Sequence, residues 1–201
     1  TLSEAEAEHA RPHYRKVEVS DLENCDLLEL FSGQRYDYII CADVLEHLRK
    51  PERILQACRQ LLSAEGKLLI SVPNAAYCGL IAELLQGEFR YREEGLLDKT
   101  HLRFFTRRSL TRFLHEQNWS LDALDVVTRE LPESEFQTRF DNLPPAVARH
   151  MLGTPDALTY QFIGVARPTS NTGILPLDET PLPVAKALFT SQLYLGTNGE
   201  Y

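Results

Sequence analysis

The chain of 201 residues contains one tryptophan, one methionine and four cysteines, and no two cysteines form a CxxC pair. The irregular spacing of Cys25, Cys41, Cys58 and Cys78 argues against a zinc ribbon or a dithiol redox site. Cys41 and Cys58 occupy apolar positions of a predicted strand and a predicted helix, where a thiol packs as a small hydrophobe. Unpaired core thiols are typical of a reducing compartment, so we expect a cytoplasmic protein.

The chain also lacks long apolar runs and an excess of positive charge. No segment approaches the length that a bilayer requires and no secretory leader is visible, so we expect no membrane insertion. The net charge of −8 argues against nucleic acid as the main partner, apart from a small basic group at Arg103, Arg107, Arg108 and Arg112. With 43% hydrophobic and 25% charged residues, the chain has the composition of a globular protein with one sizeable core.

The most informative segment runs from Tyr36 to Asn74, YDYIICADVLEHLRKPERILQACRQLLSAEGKLLISVPN. Two short apolar runs flank an amphipathic helix that starts at Pro51, as in the β-α-β unit of a parallel sheet. The continuous run Tyr38 to Cys41 predicts a strand buried on both faces, and Gly66 is placed to cap the helix. Because ligands of such sheets bind at the carboxyl ends of the strands, CADVLEHL and SVPN mark a candidate site.

Further elements complete an α/β pattern. We expect a helix end at 2–10, a strand at 13–21, a short helix at 79–85 and a helix capped by Thr106. An irregular insert at 86–105 separates the last two, and late strands follow at 121–131 and 159–167. We assign residues 1–167 to one domain, the proline-rich stretch 168–184 to a linker and 185–201 to the start of a further element or module.

Three ordered motifs then carry a family resemblance: DYIICADVLEHLRKPERIL, LLSAEGKLLISVPN and EGLLDKTHLRFFT. The chain resembles the class I S-adenosylmethionine-dependent methyltransferases over residues 1–167, and is similar to ubiquinone-pathway O-methyltransferases and to methyltransferase domains of surface-glycan proteins. The resemblance implies a Rossmann-like α/β fold with a mostly parallel sheet, helices on both faces and strand order 3-2-1-4-5-7-6. It implies S-adenosylmethionine as the cofactor.

Two parts of the family's donor site do not occur in the sequence. These are the glycine-rich turn after the first strand and the acidic residue that ends the second. The chain opens at Thr1 and its single methionine is Met151. We therefore expect a domain that is incomplete at its amino end, with upstream residues in a parent protein and two otherwise unpaired sheet edges. This fragment alone is expected to be inactive.

The resemblance assigns donor-binding roles to two short segments. Asp21 would accept a hydrogen bond from the adenine amino group and the backbone N–H of Leu22 would meet a ring nitrogen. The backbone of Cys41, Ala42, Asp43, Val44 and Leu45 would line the methionine and ribose portion. Structural alternatives remain open, because Asp21 would also cap a turn after a strand and Asp43 would also cap the turn that follows it.

Catalytic candidates lie in two segments. His101 is the proposed base for a hydroxyl acceptor, with Asp98 as its orienting group and Arg103 for an anionic part of the substrate. His47 is a second candidate for proton transfer. Alternatives are an Asp98–Arg103 ion pair that pins the loop and, for Glu46 and His47, a polar helix start over the sheet.

In the ubiquinone branch, the Glu46–His47 pair also suggests a divalent metal. Two adjacent ligands make a poor metal site without a third from Asp98 or His101, so no metal is predicted. Asn74 and Tyr77 follow the second strand of the β-α-β unit, and we predict that they bind the acceptor. Asn74 has an alternative role in an Asx turn after Pro73.

The resulting hypothesis is a methyltransferase domain that acts on a hydroxyl of a small molecule or glycan, with fusion to other domains in the parent protein. The alternative is a non-catalytic methyltransferase-like module that docks in a larger assembly, which the missing glycine-rich turn favours. A nicotinamide oxidoreductase ranks last, because the chain has neither a dinucleotide fingerprint nor a Tyr-x-x-x-Lys pair.

Overall fold

The computed structural model describes residues 2–136, 141, 143–170 and 175. In chain order its helices and strands are α1 (Glu4–Ala10), α2 (Leu27–Leu30), β1 (Tyr36–Ala42), a 3₁₀ turn (Leu45–His47), α3 (Pro51–Leu61), β2 (Leu62–Pro73), α4 (Cys78–Leu85), α5 (Arg107–Glu116), β3 (Trp119–Thr128), a second 3₁₀ turn (Leu131–Glu133), α6 (Pro145–Leu152) and β4 (Thr159–Pro168). The predicted module at 185–201 and most of the predicted linker lie outside the described residues.

The four strands form one mixed sheet in the order β1-β2-β4-β3. β1 and β2 are parallel, and β4 runs antiparallel to both β2 and β3. The α/β, Rossmann-like fold is therefore confirmed, and the order matches the second half of the order that the resemblance implies. Because of these directions, β1, β2 and β3 end, and β4 begins, at one edge of the sheet, here called the carboxyl edge.

The main hydrophobic core lies between the sheet and helices α3 and α5. Leu68, Ile70 and Val72 alternate along β2 and are at most 2% exposed, which is the period expected of a strand with one core-facing side. Cys41 and Cys58 are free and buried in this core. The hydrogen bond with Cys41 and burial raise the pKa of the Cys58 thiol, so the two cysteines act as small core residues, as predicted.

β1 departs from the prediction of burial on both faces. The side chains of Tyr38 and Ile40 are 65% and 68% exposed, while Cys41 between the sheet and α3 is buried. The physical reason is that β1 is an edge strand of the described sheet, and a cavity of about 1060 Å³ runs along it. An apolar run specifies a strand here, and only the neighbouring elements decide which of its faces is covered.

Two further predictions fail in this region. Residues 13–21 alternate like a strand but form none, since an isolated extended segment gains stability only from a paired neighbour. Gly66 does not cap α3, because β2 begins directly at Leu62. Its role is close packing: a Cβ at Gly66 would lie 2.9 Å from the Tyr36 carbonyl oxygen.

A second, smaller core covers the carboxyl edge. It joins α4, α6, the second 3₁₀ turn and the buried residues Leu96 and Leu97 of the irregular insert. Thr106 caps α5 as predicted, with its side chain accepting a hydrogen bond from the Ser109 N–H. None of the helices in the described ranges is both long and apolar enough to cross a bilayer.

Candidate functional site

The site begins where β1 leaves the sheet. Asp43 has a φ of 51°, in the left-handed region that non-glycine residues rarely adopt. Its backbone N–H donates to the Ser71 carbonyl oxygen over 3.2 Å. Its Oδ1 accepts hydrogen bonds from the Ser71 hydroxyl (3.1 Å) and from Nε2 of Gln161 on β4 (2.6 Å). Residues of β2 and β4 thus fix the orientation of the Asp43 carboxylate at the carboxyl edge.

The 3₁₀ turn after Asp43 buries a carboxyl group without partners. Glu46 is 1% exposed, and neither of its carboxyl oxygens has a hydrogen-bond partner among the described residues. Burial raises the pKa of Glu46 to about 7, and the negative charge of Asp43 adds to the rise. An unpartnered buried carboxyl group is costly when it is charged, and both Glu46 oxygens keep the capacity to bind a proton, an ion or a ligand.

The insert is attached directly to this turn. The backbone N–H groups of Leu102 and Arg103 donate to the carbonyl oxygen of Glu46 over 2.7 and 2.9 Å. As a result the preceding His101 reaches the ring of His47, with 4.7 Å between ring centroids and 68° between planes. The fold therefore brings together two histidines that are 54 positions apart in the sequence.

His101 is held by a backbone group. It is 9% exposed, and its Nδ1 lies 3.0 Å from the carbonyl oxygen of Leu96. A carbonyl oxygen only accepts, so Nδ1 carries the proton and Nε2 of the neutral ring is free to accept one. This is the state that a general base requires.

Asp98 does not orient His101 as predicted. Its Oδ1 accepts hydrogen bonds from the hydroxyl and the backbone N–H of Thr100, at 2.6 and 2.7 Å, and Thr100 Oγ1 lies 2.9 Å from Nδ1 of His47. Partial burial acts to raise the pKa of Asp98, but the two bonds from Thr100 and the nearby imidazoles outweigh it and lower that pKa. Asp98 bonds to Thr100 and not to the His101 ring because the Thr100 hydroxyl, two residues away, is the nearer donor.

Glu46, His47 and His101 form what we call the carboxylate–imidazole cluster. One potential ligand atom from each residue lies within 4.8 Å of the other two. A carboxylate oxygen with imidazole nitrogens is a donor set that divalent metals accept, and the unpartnered Glu46 oxygens fit that use. The third ligand that the sequence left open is thus available from His101.

Asn74 and Tyr77 lie outside this cluster, contrary to the prediction that they bind the acceptor. Asn74 is fully buried; its Nδ2 donates to the carbonyl oxygens of Thr159 (2.7 Å) and Asp156 (3.2 Å), and its Oδ1 accepts from the Ala76 N–H (2.9 Å). The last bond is the Asx turn of the alternative interpretation. No polar atom of Asn74 is left for a substrate.

Tyr77 is equally enclosed. Its side chain is fully buried, and its hydroxyl donates to the carbonyl oxygen of Arg129 over 3.0 Å. Burial raises the pKa of the phenol to about 12, so the group stays protonated at neutral pH. The two residues follow β2 as expected, but α4 and α6 close over them.

The remaining predicted residues are placed as follows. The guanidinium of Arg103 donates to the carbonyl oxygen of Arg49, and among the described residues no ion pair joins it to Asp98. Both carboxyl oxygens of Asp21 accept from its own turn, from the Glu23 N–H (2.9 Å) and from Asn24 Nδ2 (2.5 Å). Asp21 therefore caps a turn, although the segment that precedes it is not a strand.

In the segment after Ile40, the side chains point mainly into the core. Cys41 and Leu45 are buried there and Val44 packs against the same core, while Ala42 and Asp43 are exposed at the carboxyl edge. It is therefore the backbone of this segment, with the Asp43 side chain, that is available to a ligand.

Sequence reasoning missed four contributors: Ser71, Gln161, Thr100 and the carbonyl of Leu96. Gln161 carried a usable signal, because it is a polar residue inside the apolar run TYQFIGVA at the start of a strand. Thr100 is two residues after Asp98 in the sequence, where a hydroxyl commonly bonds to an aspartate side chain. The Leu96 carbonyl has no side-chain signature at all.

An exposed aromatic patch borders the cluster. Its members are Phe89, Tyr91 and Phe104, which are 41% to 56% exposed. Phe104 lies 6.5 Å from the His101 ring and 6.4 Å from Phe89, measured between centroids, and Phe89 lies 5.5 Å from Tyr91.

Relatives of known name share parts of this sequence. An enzyme from Glaesserella parasuis serovar 5, named ubiquinone biosynthesis O-methyltransferase, is 35% identical over 72 residues, which is 35% of this chain and 29% of the relative. The enzyme of the same name from Coxiella burnetii is 27% identical over 130 residues, or 62% of this chain and 53% of the relative. The chain therefore spans about half the length of these curated relatives, or less.

Solved structures share the fold at low sequence identity. The O-methyltransferase of a trans-AT polyketide synthase multienzyme from Brevibacillus brevis, solved with S-adenosyl-L-homocysteine, matches with a TM-score of 0.52 and 16% identity over 84% of this chain and 57% of that one. A methyltransferase from Archaeoglobus fulgidus matches with a TM-score of 0.52 and 14% identity over 82% and 72%. The family model described as methyltransferase domain matches residues 3–124, and the chain belongs to that family.

Proposed function

We propose that the full-length protein transfers the methyl group of S-adenosylmethionine to a hydroxyl group of a small molecule or glycan. The observation that carries this proposal is the carboxylate–imidazole cluster, in which an imidazole held to accept a proton lies beside an unpartnered buried carboxyl group at the carboxyl edge. The names of the curated relatives and of the Brevibacillus brevis structure support transfer to oxygen.

The reaction needs little from the protein beyond placement and one proton acceptor. The acceptor oxygen attacks the methyl carbon in line, the carbon–sulfur bond breaks, and S-adenosylhomocysteine leaves with the bonding electrons. The hydroxyl proton passes to Nε2 of His101, whose Nδ1–H stays bonded to the Leu96 carbonyl. His47 and Asp98 support this site, and Arg103 would meet an anionic group of the acceptor.

Donor binding is proposed for the Cys41–Leu45 segment and for the Asp21–Leu22 turn. The strained Asp43 is the strongest element of this assignment, because Ser71 and Gln161 occupy one of its oxygens and fix its orientation. The Asp21 turn is tied to the same region, since Oε1 of Glu23 accepts from the N–H of Arg49, two residues after His47.

The exposed aromatic patch supports the proposed acceptor class. Aromatic rings bind the flat apolar faces of phenols and of sugar rings, and the patch adjoins His101. The acidic chain and the few basic residues near the site make nucleic acid a poor acceptor.

A docking module without catalysis is the second candidate, and one observation favours it: the 201 residues contain no glycine-rich donor turn. Titration calorimetry of the full-length protein with S-adenosylmethionine separates the two functions. We expect saturable heat, and methylated product when a panel of catechols and glycosides is added. Absence of heat at high protein concentration would support the docking module and contradict the proposed transferase.

The Asp43→Asn variant sharpens this experiment, with Asp37→Asn as its matched control. Asp43 accepts from Ser71 and Gln161 at the carboxyl edge, whereas Asp37 lies at the opposite end of β1, where it accepts from the Ser63 hydroxyl over 2.7 Å. We expect donor affinity to fall at least tenfold in D43N and to stay unchanged in D37N. Equal donor affinity in all three proteins would remove Asp43 from the donor site.

A further inference from the structure

Thr100 connects Asp98 to His47 through a single hydroxyl group. Its Oγ1 lies 2.6 Å from Oδ1 of Asp98 and 2.9 Å from Nδ1 of His47, and its backbone N–H also donates to Asp98 Oδ1 over 2.7 Å. The two contacts of the hydroxyl differ in character, because an ionised carboxylate only accepts while an imidazole nitrogen either donates or accepts.

The hydroxyl has one proton to give, and this decides the tautomer of His47. Oδ1 of Asp98 already accepts from the Thr100 backbone N–H, a group that can only donate, so this oxygen presents lone pairs to the hydroxyl as well. The Thr100 proton therefore points to Asp98, and the Thr100 oxygen presents a lone pair to His47. His47 must then carry a proton of its own on Nδ1, and in the neutral ring it is Nε2 that is unprotonated.

We infer that Thr100 is a positioning residue, which transmits the orienting effect of Asp98 to His47 and selects the His47 tautomer with a free Nε2. His101 reaches the same state by a different route, through the carbonyl oxygen of Leu96. In their neutral forms, both imidazoles of the carboxylate–imidazole cluster thus carry the proton on Nδ1 and offer Nε2 as an acceptor. The value of this arrangement for catalysis rests on the proposed methyltransferase function, but the tautomer itself does not.

The selected tautomer is not the one that histidine favours when nothing constrains it, which is the form protonated on Nε2. Observing Nδ1 protonation at His47 would therefore be informative by itself. Thr100 is exposed, so the isosteric Thr100→Val removes the hydroxyl with little effect on folding, and Thr100→Ser restores it. Thr128→Val at the exposed end of β3 is a matched control outside the cluster.

Nitrogen-15 NMR of the histidine rings tests the inference in the full-length protein. We expect Nδ1 protonation of His47 in the parent protein, in T100S and in T128V, and a shift to Nε2 protonation in T100V. Asp98→Ala should move His47 in the same direction as T100V, because the oxygen that accepts the Thr100 proton is lost, whereas Asp98→Asn keeps an accepting amide oxygen and should leave the tautomer unchanged. Nε2 protonation of His47 in the parent protein, or an unchanged ring in T100V, would overturn the inference.

Kinetics provide a second, separate result. We expect kcat of T100V to fall about tenfold, with KM for S-adenosylmethionine unchanged and recovery in T100S, as is usual when the group behind a working histidine is removed. If the protein proves to have no transferase activity, the proposed function fails while the NMR result still decides the tautomer. Normal kcat with a shifted tautomer would overturn the positioning role.

Discussion

Two sets of buried polar side chains lie near the carboxyl edge of the sheet, and they differ in how completely their hydrogen bonds are made. Asn74 and Tyr77 are fully buried and donate to the backbone carbonyl oxygens of three residues, Arg129, Asp156 and Thr159. Glu46 is just as buried, yet both of its carboxyl oxygens lack a partner in the described part of the chain. We call the first the satisfied set and keep the name carboxylate–imidazole cluster for the second.

The difference distinguishes polar residues that stabilise the fold from polar residues that are available for binding and catalysis. A buried polar group without a partner costs about 1–3 kcal/mol, and more if it is charged, so a fold retains one only where something else is gained. The satisfied set stabilises the cover over the carboxyl edge. In the carboxylate–imidazole cluster, the Glu46 oxygens remain available to a ligand. We therefore place the reaction there.

The largest expected effect is on catalysis and comes from His101→Ala. Loss of the proton acceptor should lower kcat of the full-length protein by about 100-fold or more, which is the usual contribution of a general base. His150→Ala, an exposed histidine on α6, is the matched control and should leave kcat unchanged. A steady-state assay that finds equal kcat in H101A and the parent protein would remove His101 from the mechanism.

A smaller effect, on stability, is expected from Glu46→Gln. The pKa of Glu46 is about 7 in the folded protein against an ordinary value of 4.5, so between these values the folded state binds more protons than the unfolded state. The contribution of this group to the free energy of unfolding is therefore full below pH 4.5 and falls by about 3 kcal/mol as the pH rises past 7.

E46Q should abolish that part of the pH dependence and be the more stable protein at pH 8. Urea unfolding between pH 5 and 8, in buffer with a chelator, measures both quantities. Glu65→Gln, on an exposed residue of β2, should unfold like the parent protein at every pH. Parallel pH profiles of the parent protein and E46Q would show that Glu46 is not an unpartnered buried group.

The smallest expected effect distinguishes the satisfied set from the cluster. Asn74→Ala leaves two carbonyl oxygens and one N–H without their side-chain partner and should lower the free energy of unfolding by about 2 kcal/mol. Gln60→Ala, at an exposed residue of α3, should change it by less than about 0.5 kcal/mol. If N74A instead raises KM for the acceptor at unchanged stability, Asn74 belongs to the substrate site after all.

The sequence predicted those structural features that depend only on residues close together in the chain. The Pro51 helix start, the Thr106 cap and the alternation along β2 all follow from neighbouring residues, and they are present in the structure. Exposure of Ile40 and the absent strand at 13–21 depend on which elements lie alongside, which residue patterns do not encode.

The sequence predicted which segments contribute to the site, but not the contacts that their side chains make. The sequence motifs place His47 after a strand and His101 in the insert, and hydrogen bonds from the insert to the Glu46 carbonyl oxygen bring the two rings together in the fold. The partners of Asp98 and Asn74 were missed, since a hydroxyl at Thr100 and backbone carbonyls at Asp156 and Thr159 compete for them at short range. Such competition is decided by ångström-scale geometry.

The central claim is that donor and acceptor meet at the carboxylate–imidazole cluster. Titrating S-adenosylhomocysteine into the full-length protein, with the ring signals of all histidines followed by NMR, tests this claim most directly. We predict saturable shifts of His47 and His101 and none of His150, the exposed histidine of α6. Saturable binding that leaves His47 and His101 unmoved would contradict the claim.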